Sequence, residues 1–291
     1  MQFAFETNPC PVCGAGEFTP RQAVHRYEQG ALQFVTCRRC ESAYQRPRPN
    51  HDSMQAFYSS EGFFRAGGSR LVGFHDHDQE VGIRTRTGAA RLRELERMFP
   101  RRKLRILDVA CGYAAFVRLA RAHGHDATGI DYSPAMVSGA KAENGVDVVE
   151  GDFLTHDFRG TIFDVVLLYG ALQNFLDLGR VIEAVARVLA PDGLYCTNTI
   201  VADSWLERRQ GERFWNYRPP IVFIPSMQGM IDEHRSRGLA LVRKQRERQV
   251  VTPDKCVTFL LNRPLRLPGG GTEFPLIVPT GYWRFFFRRG A

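Results

Sequence analysis

The chain has 291 residues, 44% hydrophobic and 24% charged. It is long enough to bury a full core, and its ordinary composition excludes disorder and collagen-like repeats. A formal charge of +8 suits nucleic acid, phosphorylated compounds or an anionic membrane surface, without choosing among them. The opening MQFAFETNPCPVC lacks the basic and apolar regions of a secretory signal, and no run of about 18 apolar residues marks a spanning helix. A cytoplasmic location without a transmembrane segment is therefore expected.

The first element is set by cysteines. Cys10 and Cys13 in NPCPVCG, then Cys37 and Cys40 in VTCRRCE, form two CxxC pairs at zinc-ribbon spacing. Each pair sits on a tight turn that can aim two thiolates at one ion, and four structural disulfide cysteines do not suit a reducing cytosol. A closed four-thiolate site leaves no position for a reacting water, so the expected metal is structural Zn2+, not a catalytic one. Residues 1–50 read as this ribbon, and the remainder is expected to fold without it. Cys111, Cys196 and Cys256 read as buried thiols.

Residues 51–102 read as a helical connector or substrate cap. HDSMQAFYSSEGFFRAGGSR predicts a short helix and a glycine-marked loop, and DQEVGIRTRTGAARLRELERMF a helix with Leu92, Leu95 and Phe99 on one stripe. From residue 103 strands and helices alternate: LRILDVA, AAFVRLARAHG, DATGIDY, SPAMVSGAKAENG, VDVVEGD, FDVVLLYG, GRVIEAVARVLAPDG and GLYCTNTI. Ser133 is placed to cap its helix, with Pro134 at the first helical position and Gly145 past the end. This alternation predicts an α/β fold with a mainly parallel sheet covered on both faces. LALVRKQRERQ and DKCVTFLLNRP read as a closing antiparallel pair, ending the domain near residue 262. Residues 263–291 then form an aromatic and basic tail.

In a doubly wound sheet ligands bind beyond the carboxyl ends of the strands, at the first strand–helix turn. LDVACGYAAF stands there, with Ala110 and Ala114 flanking Gly112. A pyrophosphate requires glycine wherever the backbone must touch it, and the alanines fit that poorly. S-adenosylmethionine has no phosphate, and its methionyl and ribose parts tolerate alanine methyls. Three acids at successive strand ends agree. Asp108 can bind an ammonium; Asp131, about 20 residues on, can accept from both ribose hydroxyls; Asp152 can accept from the adenine amino group, with Phe153 beside the ring.

ILDVACGYAAF, GIDYSP, EGDF, FDVVLLYGALQNFLD and LAPDG, in this order over residues 103–262, resemble the successive motifs of class I S-adenosylmethionine-dependent methyltransferases. NPCPVCG, VTCRRCESAYQRPRP and FYSSEGFF resemble the zinc-ribbon lead-in of a subgroup that includes sugar C-methyltransferases and natural-product tailoring methyltransferases. The resemblance implies a Rossmann-like methyltransferase fold with a seven-stranded sheet. It also implies cofactor contacts from Ala110, Gly112, Asp131, Tyr132, Asp152, Phe153 and Tyr169, and a place for Tyr58 near the methyl group or acceptor. Two departures stand out: the loop alanines, and Asn174 where many relatives carry histidine.

A hydroxyl or carbon-acid acceptor must lose a proton, and histidine titrates in the useful range. His75 and His77 in GFHDHDQE, each followed by an acid, are the candidate bases, a solvated polar loop being the alternative. The expected activity is O- or C-methylation of a small-molecule acceptor, a sugar or natural-product intermediate. A nucleic-acid methyltransferase is the alternative that charge and ribbon raise. No NPPY-like motif appears and the arginines are scattered, which argues against that partner. A non-catalytic binding protein on the same fold is the third reading. In the tail, Tyr282, Trp283, Phe285, Phe286 and Phe287 alternate with Arg284, Arg288 and Arg289. They are expected either to pack back on the sheet or to meet an anionic, lipid-linked acceptor or a membrane surface peripherally.

Overall fold

The computed structural model describes residues 3–27, 30–59, 77–100, 102–202, 204–211, 214, 216–217, 220–251 and 276–290. In chain order it begins with β1 (Phe5–Glu6), β2 (Phe18–Tyr27), β3 (Gly30–Cys37), β4 (Ala43–Gln45) and β5 (Arg48–Pro49), followed by α1 (His51–Ser59) and α2 (His77–Met98). The alternating section holds β6 (Arg105–Val109), α3 (Ala115–Ala122), β7 (Asp126–Asp131), α4 (Pro134–Asn144), β8 (Val149–Glu150), β9 (Phe163–Leu168), α5 (Leu178–Val188) and β10 (Leu189–Ile200). The last part is α6 (Trp205–Gln210), β11 (Phe223–Ile224), α7 (Met227–Ser236), β12 (Leu239–Val251) and β13 (Leu276–Arg289).

Among the described residues, seven strands form the main sheet in the order β12-β13-β10-β9-β6-β7-β8. Strands β6 to β10 are parallel, while β13 runs antiparallel to both β10 and β12. The order reverses between β6 and β9, which leaves a crevice beyond the carboxyl end of β6, where such folds bind ligands.

Strand pleating divides the core in two, because successive side chains point to opposite faces. Ile106, Val165, Leu167, Cys196 and Phe286 face Leu92, Leu95 and Phe99 of the α2 stripe, together with Val117 and Ala120 of α3. Leu107, Val166, Leu168, Tyr195, Phe285 and Phe287 face α5 on the other side. That second cluster continues into Cys10, Val12, Val35, Cys37 and Tyr44. The cysteine-bearing segment is therefore packed into the same core as the sheet, and the expectation that the remainder folds without it is corrected. Further ties bind the two: β11 pairs with β4, Leu178 N–H donates to Pro11 O at 2.9 Å, and the Gln45 amide donates to Ile221 O at 2.7 Å.

For the carboxyl-terminal aromatics the structure shows the first of the two expected placements, packing on the sheet. Residues 276–289 are not a tail but a strand seated between β10 and β12. Phe285, Phe286 and Phe287 are buried, two on one face and one on the other, and Trp283 is half-buried. β12 pairs with this strand; the expected partner, residues 254–264, lies outside the described residues. No helix among the described residues is long and apolar enough to cross a membrane. Ser133 precedes α4 as expected, but its hydroxyl donates to Tyr58 O at 3.0 Å instead of capping the helix.

Candidate functional site

At the crevice the chain leaves β6 through a turn in which Ala110, Gly112 and Ala114 have φ of 55°, 55° and 56°. The two alanines thus keep a left-handed backbone, which costs an L residue about 1–2 kcal/mol. They do more than fill space beside a glycine. The turn brings Gly112 N–H to Asp131 Oδ2 at 2.9 Å, while Ser133 N–H donates to Oδ1 at 3.0 Å. The carboxylate is buried and held by backbone donors on both oxygens. Burial pushes its pKa up, opposed by these backbone donors.

Asp108 ends β6 and is also buried. Desolvation pushes its pKa up to about 7; the Arg91 cation works against that shift and the nearby Asp131 adds to it. Asp152 lies past β8 in a turn, not on the strand end as expected. It is half-buried, and its Oδ1 accepts from Leu154 N–H at 2.9 Å. Phe153 is buried against Phe158, ring centroids 6.3 Å apart. Tyr132 and Tyr58 meet edge-on at 5.7 Å, and Tyr132 Oη donates to Met54 O at 3.4 Å. These contacts dock α1 on the turn that follows Asp131, so Tyr58 stands beside the clamped carboxylate.

Tyr169, just past β9, lies under the Arg91 guanidinium, 3.9 Å from ring centroid to Cζ. Sequence reading missed the group that surrounds it. Arg91 pairs with buried Glu247 of β12, Glu247 accepts from the Asn198 amide, and Asn198 Oδ1 accepts from Gly170 N–H at 2.7 Å. This chain of polar contacts ties α2, β12 and β10 to the turn after β9. The available signal was weak: Arg91 stands four residues before Leu95, at the edge of an apolar stripe, where a charge needs a partner.

Cys10, Cys13, Cys37 and Cys40 place their Sγ atoms within 4.8 Å of one another. The Cys10–Cys40 and Cys13–Cys37 separations are 3.6 Å each. A tetrahedral zinc with Zn–S of about 2.3 Å sets S···S near roughly 3.8 Å, so the donor set and its spacing fit that ion. His75 lies outside the described residues; His77 opens α2, and its side chain also lies outside them. Asn174 ends a short 3-10 turn, residues 172–174. His234, for which the sequence offers no partner, is buried, bonded to Met230 O at 2.7 Å and stacked on Phe287 at 3.9 Å.

A family model described as "Methyltransferase domain" matches residues 107–197, the stretch from the end of β6 into β10. The chain is 30% identical over 126 residues to a malonyl-[acyl-carrier protein] O-methyltransferase of Enterobacter lignolyticus, covering 43% of this chain and 50% of the relative. It is 38% identical over 96 residues to a demethylmenaquinone methyltransferase of Thermus thermophilus, covering 31% of this chain and 44% of the relative. The chain thus spans about half the length of the curated relatives it matches. Among solved structures, magnesium protoporphyrin IX methyltransferase from Synechocystis with bound S-adenosylhomocysteine superposes with a TM-score of 0.55 at 13% identity, over 83% of this chain and 100% of that one. Residues 107–197 therefore resemble a methyltransferase domain, and the chain is built on a Rossmann-like methyltransferase fold.

Proposed function

We propose that the protein is an S-adenosylmethionine-dependent methyltransferase acting on a small-molecule acceptor, a sugar or natural-product intermediate, by O- or C-methylation. The observation that carries this reading is the buried Asp131 carboxylate held by backbone donors at the switch point. In this reading Asp131 holds both ribose hydroxyls, Asp108 the cofactor ammonium and Asp152 the adenine amino group. Ala110 and Gly112 shape the turn, Tyr132, Phe153 and Tyr169 line the site, and Tyr58 stands close to the reacting end. S-adenosylmethionine, when bound, would supply an activated methyl group on a sulfonium: the acceptor would bond to the methyl carbon as the carbon–sulfur bond breaks, leaving a thioether and releasing the acceptor's proton. The protein's part is orientation and exclusion of water, and a fixed in-line geometry can supply much of the acceleration. His75 and His77 remain the proposed bases. The relatives named above are, by their names, an O-methyltransferase of malonyl-[acyl-carrier protein] and a methyltransferase of demethylmenaquinone.

The four-cysteine cluster is read as a structural zinc site. Its thiols cannot all ionise without a cation: burial holds Cys13 up near 12, while a hydrogen bond from Cys10 draws Cys40 down to about 5. Residues 1–50 serve as the ribbon, 51–102 as connector and cap, and 103–262 with the strand at 276–289 as the catalytic body. The test is calorimetry with S-adenosylhomocysteine, followed by transfer of an isotopically labelled methyl group from S-adenosylmethionine into an extract of small metabolites. One-to-one binding and one labelled product are expected. Absence of S-adenosylhomocysteine binding would overturn the reading, and label in RNA alone would move the acceptor class.

A further inference from the structure

Away from the crevice, on the same edge of the sheet, a cleft of ≈ 420 Å³ opens where β10 ends beside residues 281–283 of β13. Its walls are aromatic: Trp205 of α6, 42% exposed, with Tyr282 and Trp283 of β13. Its charges are Arg208 of α6 and Arg246 of β12, with one carboxylate, Glu41, on the rim. The Arg246 guanidinium is held over the Trp283 ring, 5.6 Å from its centroid.

These two arginines differ from three of their neighbours, Arg91, Arg243 and Arg284. Arg91 pairs with Glu247, and Arg243 and Arg284 both pair with Glu94. Among the described residues, neither Arg208 nor Arg246 has a carboxylate partner, and both are exposed to the cleft. Two indoles supply flat apolar area, and two unpaired guanidiniums supply planar donors that match a carboxylate or phosphate edge. The volume is that of a small-molecule site, too small for a folded partner. β10 lies two strands from β6 and three from β7, so along the sheet the near end of the cleft stands roughly 10 Å from the strand of Asp108 and roughly 15 Å from that of Asp131.

We infer that this cleft binds a flat-ringed, anionic small molecule, its ring against Trp205 and Trp283 and its anionic group on Arg208 and Arg246, and that this molecule is the methyl acceptor. The assignment as acceptor rests on the methyltransferase reading; the chemistry of the cleft does not. Glu41, held at φ 60° in the turn closed by its N–H to Cys37 O at 3.0 Å, makes the cysteine cluster part of the rim. A metal-free ribbon would therefore disturb this cleft as well.

The test uses 1-naphthoate as probe and 1-naphthamide as its neutral counterpart, read by tryptophan quenching and calorimetry on the full chain. Naphthoate should bind one-to-one. R208Q and R246Q should each weaken it about tenfold, with naphthamide binding weakly and equally to all three proteins. S-adenosylhomocysteine affinity, measured in parallel, should not change in either variant, which also shows that each remains folded. Naphthoate that fails to bind the wild type, or binds the double variant R208Q/R246Q as well as the wild type, overturns the cleft assignment. It leaves the cofactor reading standing if S-adenosylhomocysteine still binds. The converse, naphthoate bound and S-adenosylhomocysteine not, removes the methyl acceptor role and keeps the anion site.

Discussion

The two halves of the main sheet are built by different rules. On the β6–β7–β8 side every functional candidate sits at a strand end or in the loop that follows it: Asp108 and Gly112 after β6, Asp131 after β7, Asp152 after β8. On the β10–β13–β12 side the cleft gathers Glu41, Trp205, Arg246 and Trp283, from an amino-terminal turn, a helix and two strands far apart in sequence. The first half works by local chain geometry, the second by packing. A cofactor common to many enzymes can be held by short repeated motifs, whereas an acceptor site is made by whichever distant segments the fold brings together.

The largest expected effect challenges the second half. C37S should abolish metal binding and lower the stability of the entire chain by about 3 kcal/mol or more, because metal binding contributes directly to folding. Cys37 is fully buried in the cluster shared with β6, β9 and α5. Thermal unfolding should show one cooperative transition moved to lower temperature, with metal content lost. A variant whose sheet unfolds at the wild-type temperature would show the ribbon to be energetically separate.

D131A isolates the first half. Losing charge-assisted bonds to two hydroxyls, each worth about 1.5–3 kcal/mol, should weaken S-adenosylhomocysteine binding a hundredfold or more while naphthoate binding stays unchanged. Calorimetry with both ligands separates the halves directly. An unchanged S-adenosylhomocysteine affinity would remove Asp131 from the cofactor site.

Asp108 gives the first half a pH dependence. Its folded pKa is raised to about 7, so the carboxylate needed for an ammonium is present above that pH and lost below it. Cofactor affinity should fall as pH drops through 7, by up to about tenfold per unit. Because the empty protein holds this proton more tightly than the unfolded chain, the ligand-free protein loses stability as pH rises from about 4 to about 7 and changes little from this group above that. D108N should bind weakly and nearly independently of pH between 6 and 8. A wild-type affinity that is flat over this range would place the ammonium elsewhere.

The smallest effect concerns the turn. A110G should relieve the left-handed alanine and raise stability by up to about 1 kcal/mol, offset in part by the greater freedom of glycine in the unfolded chain. Chemical denaturation resolves this. A loss of stability would show that the Ala110 methyl makes contacts that outweigh its backbone cost.

Sequence reading reached most of the sheet and the first site because both rest on local signals. Apolar strands bounded by glycine placed β6, β7, β9 and β10. Carboxylates at successive strand ends marked the crevice, and the CxxC pairs marked a cluster whose sulfurs do converge. Arg91, Glu247 and Asn198 stayed hidden, since their meaning comes from one another across α2, β12 and β10.

Sequence by itself determined the alternation of elements, the switch-point turn, the three acids and the four converging thiols, because each is fixed by neighbours a few residues away. Only the tertiary structure decided that the aromatic end is a central strand. Three consecutive phenylalanines read as surface or core alike until the strands that flank them are known. It also decided that the ribbon and the sheet share one core, since apolar side chains bury against whatever apolar surface the chain brings to them, whatever its place in the sequence.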